Sequence, residues 1–368
     1  MLPSQSLYGQ GPGIFPYFSA SSISPSAVAY SMGGGSVAAS IEASAIDYNP
    51  AALTRLGRLA LEGNTFKLLP VLSNDLRFSH VAGAFQISSS TGLWFGAAYT
   101  YVNLGEQIIT GELDPTPIAT FASYERALSF AAAKKFGQHL RLGVGFKYLR
   151  SVLAPQISNT SQIGDGRASA YTLDLGLLFD GFLPTAHFSR QFLTGSLPGQ
   201  KWAHKGLPPG FSLGISLANL ELKSKIGDSN ADDLIPHMLH IGLAWNLVDS
   251  DVVGLMVTGE RTEVFLKRNT KGLRADPIFK ALFTAWTDEE FDDSNPAFYT
   301  AGVEINLLYL GAVRFGHYWD NSSNFDFGTF GFSLGTPGLR FSYATTLDDD
   351  VITDRKIYNI SLVLAKLP

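Results

Sequence analysis

Apolar and polar residues alternate along most of the chain from residue 57 onward. In one clear run, Leu142, Val144 and Phe146 share one phase, whereas Arg141 and Lys147 share the other. A period of two is that of a β-strand with two unlike faces. The pattern therefore predicts strands with one face of aliphatic and aromatic residues and one face of Gly, Ser, Thr and isolated charges.

Fourteen segments of this kind follow one another, and an even number suits a closed bacterial barrel. Their approximate predicted bounds are 57–67, 75–87, 92–103, 122–136, 138–151, 168–180, 210–222, 238–247, 252–266, 298–308, 311–319, 327–334, 338–347 and 355–366.

The predicted connections alternate in length, as in outer-membrane barrels, which have short turns at one end and longer loops at the other. The connection 181–209 departs from this rule, because it is long where a short turn is expected. Short turns are predicted at 88–91, 137, 248–251, 309–310 and 335–337, and longer loops at 104–121, 152–167, 223–237 and 267–297.

Composition favours a membrane barrel over a large soluble β sandwich, whose strands also alternate. Only 16% of the residues are charged, against about 25% in an average soluble domain. The uncharged run 81–105 is long enough for a membrane helix, but the polar residues 88–92 divide it into a hairpin. We therefore predict an all-β fold, a transmembrane antiparallel β-barrel of about fourteen strands.

The first 56 residues lack the alternation. Residues 1–41 contain no charged residue and no histidine, and no basic region precedes an apolar stretch, so they do not read as a signal peptide. If the protein is exported, we expect its signal to have been removed. Irregular backbone at membrane depth must be enclosed by protein. We therefore predict a plug in the lumen at 1–56 and the barrel at 57–368.

Two motifs in the predicted plug are expected to be structural. Asn49 can cap a turn and Pro50 fixes its own φ, so the pair is expected to fix the direction in which the chain leaves the plug toward the first strand. Gly33, Gly34 and Gly35 do not form a phosphate-binding loop, because no Lys-Ser/Thr pair follows and no βαβ unit surrounds them.

The charged and titratable residues point to no enzyme. A net charge of -5 with scattered Lys and Arg gives no basic stripe, which argues against a nucleic-acid partner. The chain has no cysteine. His237 and His240 lie three apart on a predicted strand and point to opposite faces, so they are not expected to bind one metal ion. No Ser/His/Asp set stands out, and we expect no catalytic residues, no cofactor and no metal.

The stretch "SAVAYSMGGGSVAASIEASAIDYNPAALTRL" (26–56) resembles the amino-terminal hatch of the FadL superfamily of fourteen-stranded outer-membrane barrels. Three later stretches are similar to the PorV branch: "ATFASYERALSFAAAKKFGQHLRLGVGFKYLRSVLA" (119–154), "FSLGISLANLELKSKI" (211–226) and "LIPHMLHIGLAW" (234–245). The resemblance implies the outer membrane of a Gram-negative bacterium as the location, and outer-membrane lipid as a partner.

The resemblance leaves two functions open. A PorV-like protein would be a non-enzymatic component of type IX secretion that binds secreted cargo proteins at a translocon barrel and passes them on. A FadL-like protein would instead let hydrophobic small molecules, such as long-chain fatty acids, leave through the barrel wall. The FadL-like function requires a strand kink or wall gap beside an apolar cavity, whereas the PorV-like function requires only exposed loops.

Each function suggests its own residues. For the PorV-like function, the predicted loop 267–297 would dock a partner, although a solvated loop is its ordinary interpretation. For the FadL-like function, plug aromatics would line an apolar pocket, although packing is their commoner role. The candidate docking residues are Trp286, Asp288, Glu289, Glu290 and Phe291, and the candidate pocket residues are Phe15, Tyr17 and Phe18.

Overall fold

The computed structural model describes residues 23–70, 73–88, 90–110, 116–154, 166–182, 210–227, 229–231, 235, 237–249, 253–265, 297–308, 310–320, 325–336, 338–347 and 355–364. Its first part has little regular structure. A single helical turn, α1 (Ala27–Tyr30), is followed by two 3-10 helices, Ala43–Asp47 and Pro50–Arg55.

The rest of the described chain is β-structure. The strands are β1 (Leu59–Lys67), β2 (Arg77–Ser88), β3 (Leu93–Thr110), β4 (Pro117–Phe136), β5 (Leu140–Ala154), β6 (Gly166–Phe182), β7 (Gly210–Ile226), β8 (Ser229–Ala231), β9 (His237–Asp249), β10 (Val253–Phe265), β11 (Ala297–Leu307), β12 (Gly311–Asp320), β13 (Phe325–Gly335), β14 (Leu339–Thr346) and β15 (Lys356–Leu364).

The strands form one closed antiparallel sheet. Neighbours in sequence pair with each other, and the first strand pairs with the last, from Leu59 opposite Leu364 to Thr65 opposite Tyr358. The three-residue β8 pairs only with the end of β7, while β7 itself pairs with both β6 and β9. The ring therefore has fourteen strands, and the predicted fold class and strand number are confirmed.

The two faces of each strand differ as the alternation predicts. Large apolar side chains such as Val81, Phe130 and Ile360 are exposed on the outside of the ring. The opposite phase is buried inside, and several charged residues on it form ion pairs, because an unpaired buried charge is costly. Examples are the ion pairs Lys147–Asp174 (2.7 Å) and Arg314–Glu304 (2.5 Å).

One predicted loop is largely β-structure. The hairpin of β3 and β4 continues through most of 104–121, and its ladder reaches Thr110 opposite Pro117. A register shift between Asn103 and Glu106 accompanies the positive φ of Gly105. The sequence alternation fades there because these strand ends no longer have one wholly apolar face, but backbone pairing continues.

Other predicted segments are only partly described. Of the segment 181–209, the structure describes Gly181 and Phe182 at the end of β6 and nothing further. The docking residues 286–291 and the pocket residues 15–18 lie outside the described residues. Among the helices that the structure describes, none has the length and apolar character to cross a membrane.

Candidate functional site

The N-terminal segment, defined here as residues 23–56, is enclosed by the ring of strands. Its second 3-10 helix packs on β4, β5 and β6, and α1 packs on β13, β14 and β15. Inward-facing glycines make this approach possible. A Cβ added at Gly143 would collide with the backbone of Ala51, and one added at Gly214 would collide with the backbone of Val37. The small inward phase of the strands thus leaves room for this segment.

Asn49 links two parts of the N-terminal segment to each other and to the barrel wall. It caps the second 3-10 helix, since its Oδ1 accepts a hydrogen bond from Ala51 N at 3.1 Å. Its Nδ2 donates to Val37 O at 2.8 Å and to Leu177 O at 3.3 Å, so one fully buried amide joins two parts of the segment to β6. Pro50 is the first residue of that helix, where its missing N–H costs nothing.

The glycines 33–35 allow a tight turn against the opposite wall. Gly33 and Gly34 have φ values of +83° and +96°, in the left-handed region that favours glycine. Gly33 N donates to Thr329 Oγ1 at 3.0 Å. A side chain at Gly35 would meet Thr300 and Glu260. These three glycines thus lie close to the wall formed by β10, β11 and β13.

A buried ion cluster fixes the end of the segment. Arg55 is 2.5 Å from Asp180 of β6, and Asp180 also pairs with Arg141 of β5. Arg55 further donates to the carbonyls of Ala38 and Ser40, at 2.7 Å and 3.1 Å. Burial lowers the pKa of Arg55 but Asp180 acts in the opposite direction, and the pKa stays far above neutrality in any protein. The cluster therefore joins a permanent charge of the segment to the wall.

Asp47 makes a second polar anchor. Its carboxylate accepts from Ser129 Oγ at 2.7 Å and lies 2.7 Å from His80 Nε2, and Lys147 donates to its carbonyl oxygen at 2.9 Å. Burial raises the pKa of Asp47, but the hydrogen bond and charge of His80 together with Lys147 and Ser129 outweigh it and hold the pKa below its ordinary value. Asp47 is therefore an anion held by three strands.

Glu42 differs from Asp47 because, among the residues that the structure describes, no cation contacts it. Burial, and then the negative charge of Glu62, raise its pKa to about 8, while the hydrogen bond with Ser26 acts in the opposite direction. Glu62 in turn accepts from Ser44 N at 2.9 Å and from Asn359 Nδ2 at 2.9 Å. Burial thus favours the protonated, neutral form of the Glu42 carboxyl group.

The wall is irregular at β7. The ladder between β7 and β9 runs from Gly210 to Ala218, which pairs with Met238, and includes no later residue of β7 among those described. The next residue, Asn219, has a φ of 60°, a conformation that Asn tolerates better than most residues. The ladder between β6 and β7 also shifts register beside Asn219, so Asp174 of β6 lies opposite two residues of β7.

Polar contacts hold this irregular point. Asn219 N donates to Asp174 Oδ1 at 2.8 Å, and its carbonyl oxygen lies 2.7 Å from His237 Nδ1. Beyond it, Ile235 N donates to Glu221 Oε2 at 3.3 Å. The Ile235 side chain is buried with inward-facing residues of β4, β5 and β6. Ile235, between β7 and β9, therefore lies inside the ring.

A cavity of about 80 Å³ lies beside this point, between the N-terminal segment and the strands. Ala218, Asn219 and Met238 form its side at the end of the ladder. Its remaining lining includes apolar residues and charged residues from strands around the ring, among them Phe78, Leu149, Phe298, Lys147, His240 and Glu260. The lining thus combines apolar and charged residues, and the volume is well below the roughly 300–1,000 Å³ usual for a ligand site.

His237 and His240 lie three residues apart on β9. His237 contacts the Asn219 carbonyl, whereas His240 pairs with Glu260 at 2.9 Å, so the two histidines have different partners. Within the described ranges, no group of three or more His, Cys, Asp or Glu side chains is placed to hold a metal ion. Sequence reasoning missed Asn219 and Ile235, whose only signal was an interruption of the alternation after Ala218.

The ring and its contents define the class of protein as a closed fourteen-stranded barrel with an enclosed N-terminal segment. No family model and no curated protein matches the chain. Among solved structures, it is similar to the Pseudomonas putida toluene transporter TodX, with a TM-score of 0.52, 11% identity and coverage of 98% of this chain and 100% of TodX. This likeness concerns the fold.

Two further solved structures are similar over most of their length. The Ralstonia pickettii toluene transporter TbuX has a TM-score of 0.46 and 13% identity, over 97% of this chain and 98% of TbuX. A FadL homologue of Pseudomonas aeruginosa has a TM-score of 0.48 and 10% identity, over 91% of this chain and 95% of the homologue.

Proposed function

We propose that this protein is a FadL-like barrel in the outer membrane of a Gram-negative bacterium, and that it lets small hydrophobic molecules pass. Residues 1–56 would act as the plug and residues 57–368 as the barrel. The cavity beside the N-terminal segment carries this proposal, because it reaches the wall at Asn219, where the β7–β9 ladder ends. A wall irregularity beside a cavity is the feature that distinguishes passage of a small molecule from docking of a protein.

Other features support the proposal. The exposed apolar outer face suits lipid, and a closed ring leaves no sheet edge in the hydrocarbon. The barrel fold is shared with TodX, a toluene transporter. The PorV-type function, with a translocon barrel and secreted cargo as partners, stays a prediction from sequence resemblance, since its docking residues lie outside the described residues.

Variants of Asn219 test the proposed route. Asn219→Gly and Asn219→Val both remove the side-chain amide, but only glycine keeps the left-handed backbone without strain. Uptake of a fluorescent long-chain fatty acid and of radiolabelled toluene would be measured in cells of a Gram-negative host without its own FadL-type transporter. Cells are needed because phospholipid vesicles without lipopolysaccharide are themselves permeable to these probes.

We expect uptake to persist with Asn219→Gly and to fall with Asn219→Val. Heat-modifiable migration on gels would show that both variants form the barrel. If both variants transport as well as the parent protein, the irregular wall at β7 is not the route.

A further inference from the structure

The outer face carries a groove of about 870 Å³ near the short-turn end of β1 to β6. Its floor is formed by three small outward-facing residues, Gly83, Ala97 and Ala132. Gly83 pairs with Ala97 across β2 and β3, and Ala132 lies one step nearer the turns on β4, so the floor runs diagonally across three strands. The volume is in the range of about 300–1,000 Å³ that is usual for sites of small ligands.

Aromatic rings form the two walls. Phe85 and Phe95 stand on the turn side with ring centroids 6.3 Å apart. Phe130 and Phe146, which are paired across β4 and β5, stand on the other side. All four rings are exposed, and they project past the small floor residues. The groove is therefore a depression between rings, and its lining is almost entirely apolar.

One cation lies beyond the lining of the groove, one step nearer the short turns. Lys134 is the next outward-facing residue of β4 after Ala132; it is exposed, and its Nζ is 5.3 Å from the Phe136 ring centroid. Short turns of outer-membrane barrels face the periplasm. Lys134 thus belongs at the level where the head groups of the inner leaflet begin, and the groove extends from it into the hydrocarbon.

We infer that this groove is a binding site for an anionic phospholipid of the inner leaflet, with an acyl chain between the aromatic walls and the phosphate head group at Lys134. A bilayer gives apolar surfaces no hydrophobic drive to associate, so occupancy depends on packing and on charge. A flexible acyl chain can fill a diagonal groove of this shape, and it recovers dispersion contacts that an empty groove would lose. The single Lys supplies the preference for a negative head group.

The inference rests on the membrane location proposed above, but not on what the barrel transports. Native mass spectrometry tests it, with the full chain in nanodiscs that contain equal amounts of phosphatidylglycerol and phosphatidylethanolamine. The spectra count the lipids that stay bound after release from the disc. Ala132→Phe would fill the floor, and Ala301→Phe is its matched control, an outward-facing alanine on the far side of the ring.

We expect the parent protein and Ala301→Phe to retain phosphatidylglycerol, and Ala132→Phe to lose it. Lys134→Gln should reduce the preference for phosphatidylglycerol about five-fold, the effect of roughly 1 kcal/mol that one Lys has near an anionic surface. Arg126→Gln, on the same face of β4 but eight residues farther from the short turns, should leave the preference unchanged.

Several results would overturn the inference. Equal lipid retention by Ala132→Phe and Ala301→Phe would mean that the retained lipid is ordinary lipid around the barrel and not lipid bound in the groove. Retention of fatty acid instead of phospholipid would assign the groove to transported molecules. A dimer that disappears with Ala132→Phe would make a second copy the occupant. Correct insertion of every variant, seen as heat-modifiable migration, separates failure of this inference from failure of the membrane location itself.

Discussion

Replacing Asn49 by alanine should release the N-terminal segment without unfolding the ring. The change removes the helix cap on Ala51 N and the hydrogen bonds that Nδ2 donates to Val37 O and Leu177 O. A lost cap costs about 1 kcal/mol, and each lost buried hydrogen bond costs about 0.5–1.5 kcal/mol. Together these contributions come to roughly 2–4 kcal/mol for the docked segment.

Hydrogen exchange followed by mass spectrometry in detergent micelles measures this effect. A loss of roughly 2–4 kcal/mol corresponds to roughly 30- to 700-fold faster exchange in segment 37–56. The strand peptides should keep their protection, because the ladders of the ring are unchanged. Asn49→Ser keeps a capping side chain but cannot reach the Val37 carbonyl, so it should fall between the parent and Asn49→Ala.

The matched control is Asn103→Ala, at an asparagine on β3 outside this segment. It should leave exchange in 37–56 unchanged. If Asn49→Ala also leaves the exchange of 37–56 unchanged, the hydrogen bonds of Asn49 do not hold the segment, and the account of its docking is wrong.

Three further predictions concern the N-terminal segment and the predicted loop 267–297. Gly143→Ala should expose the segment to protease, because the new Cβ meets the Ala51 backbone, whereas Gly63→Ala, where a Cβ meets nothing, should not. The pKa of Glu42 is raised from 4.5 to about 8. The protonated carboxyl group therefore contributes fully to the free energy of docking of the segment below pH 4.5, and this contribution is lost as the pH rises through about 8. After correction for the intrinsic rise of amide exchange with pH, the protection of the segment should therefore fall from pH 6 to pH 9 in the parent and not in Glu42→Gln; equal protection profiles would contradict this. Deleting 284–293 should abolish cargo capture in pull-downs if the PorV-type function holds, and unchanged capture would refute the predicted docking loop.

Much of the ring could be predicted from sequence because a lipid-facing barrel has two chemically unlike faces. Arg141 and Lys147 on the small-residue phase already indicated which side faces inward, and both are buried. Prediction was weaker where pairing does not depend on an apolar face. The β3–β4 hairpin continues to Thr110 although its outer residues become polar, so the sequence pattern suggested a loop there.

The candidate site could be predicted only in part. Asn49 and Pro50 are local turn signals, because the preferences of Asn and Pro for turns depend on the residue itself and its immediate neighbours. The partners of Asn49 in β6 and the pairing of Arg55 with Asp180 depend on residues more than 100 positions away, which periodicity does not specify. The positive φ of Asn219 likewise depends on the register of β7 against two neighbouring strands.

The most direct test of the proposed function compares uptake of radiolabelled toluene and a fluorescent long-chain fatty acid by two strains of the same Gram-negative host. One strain carries this protein in its outer membrane, and the other carries an empty vector, with outer-membrane integrity checked by exclusion of a large hydrophilic dye. The account predicts faster initial uptake of at least one hydrophobic probe in the first strain, with dye exclusion unchanged. Equal uptake of both probes in the two strains would contradict it.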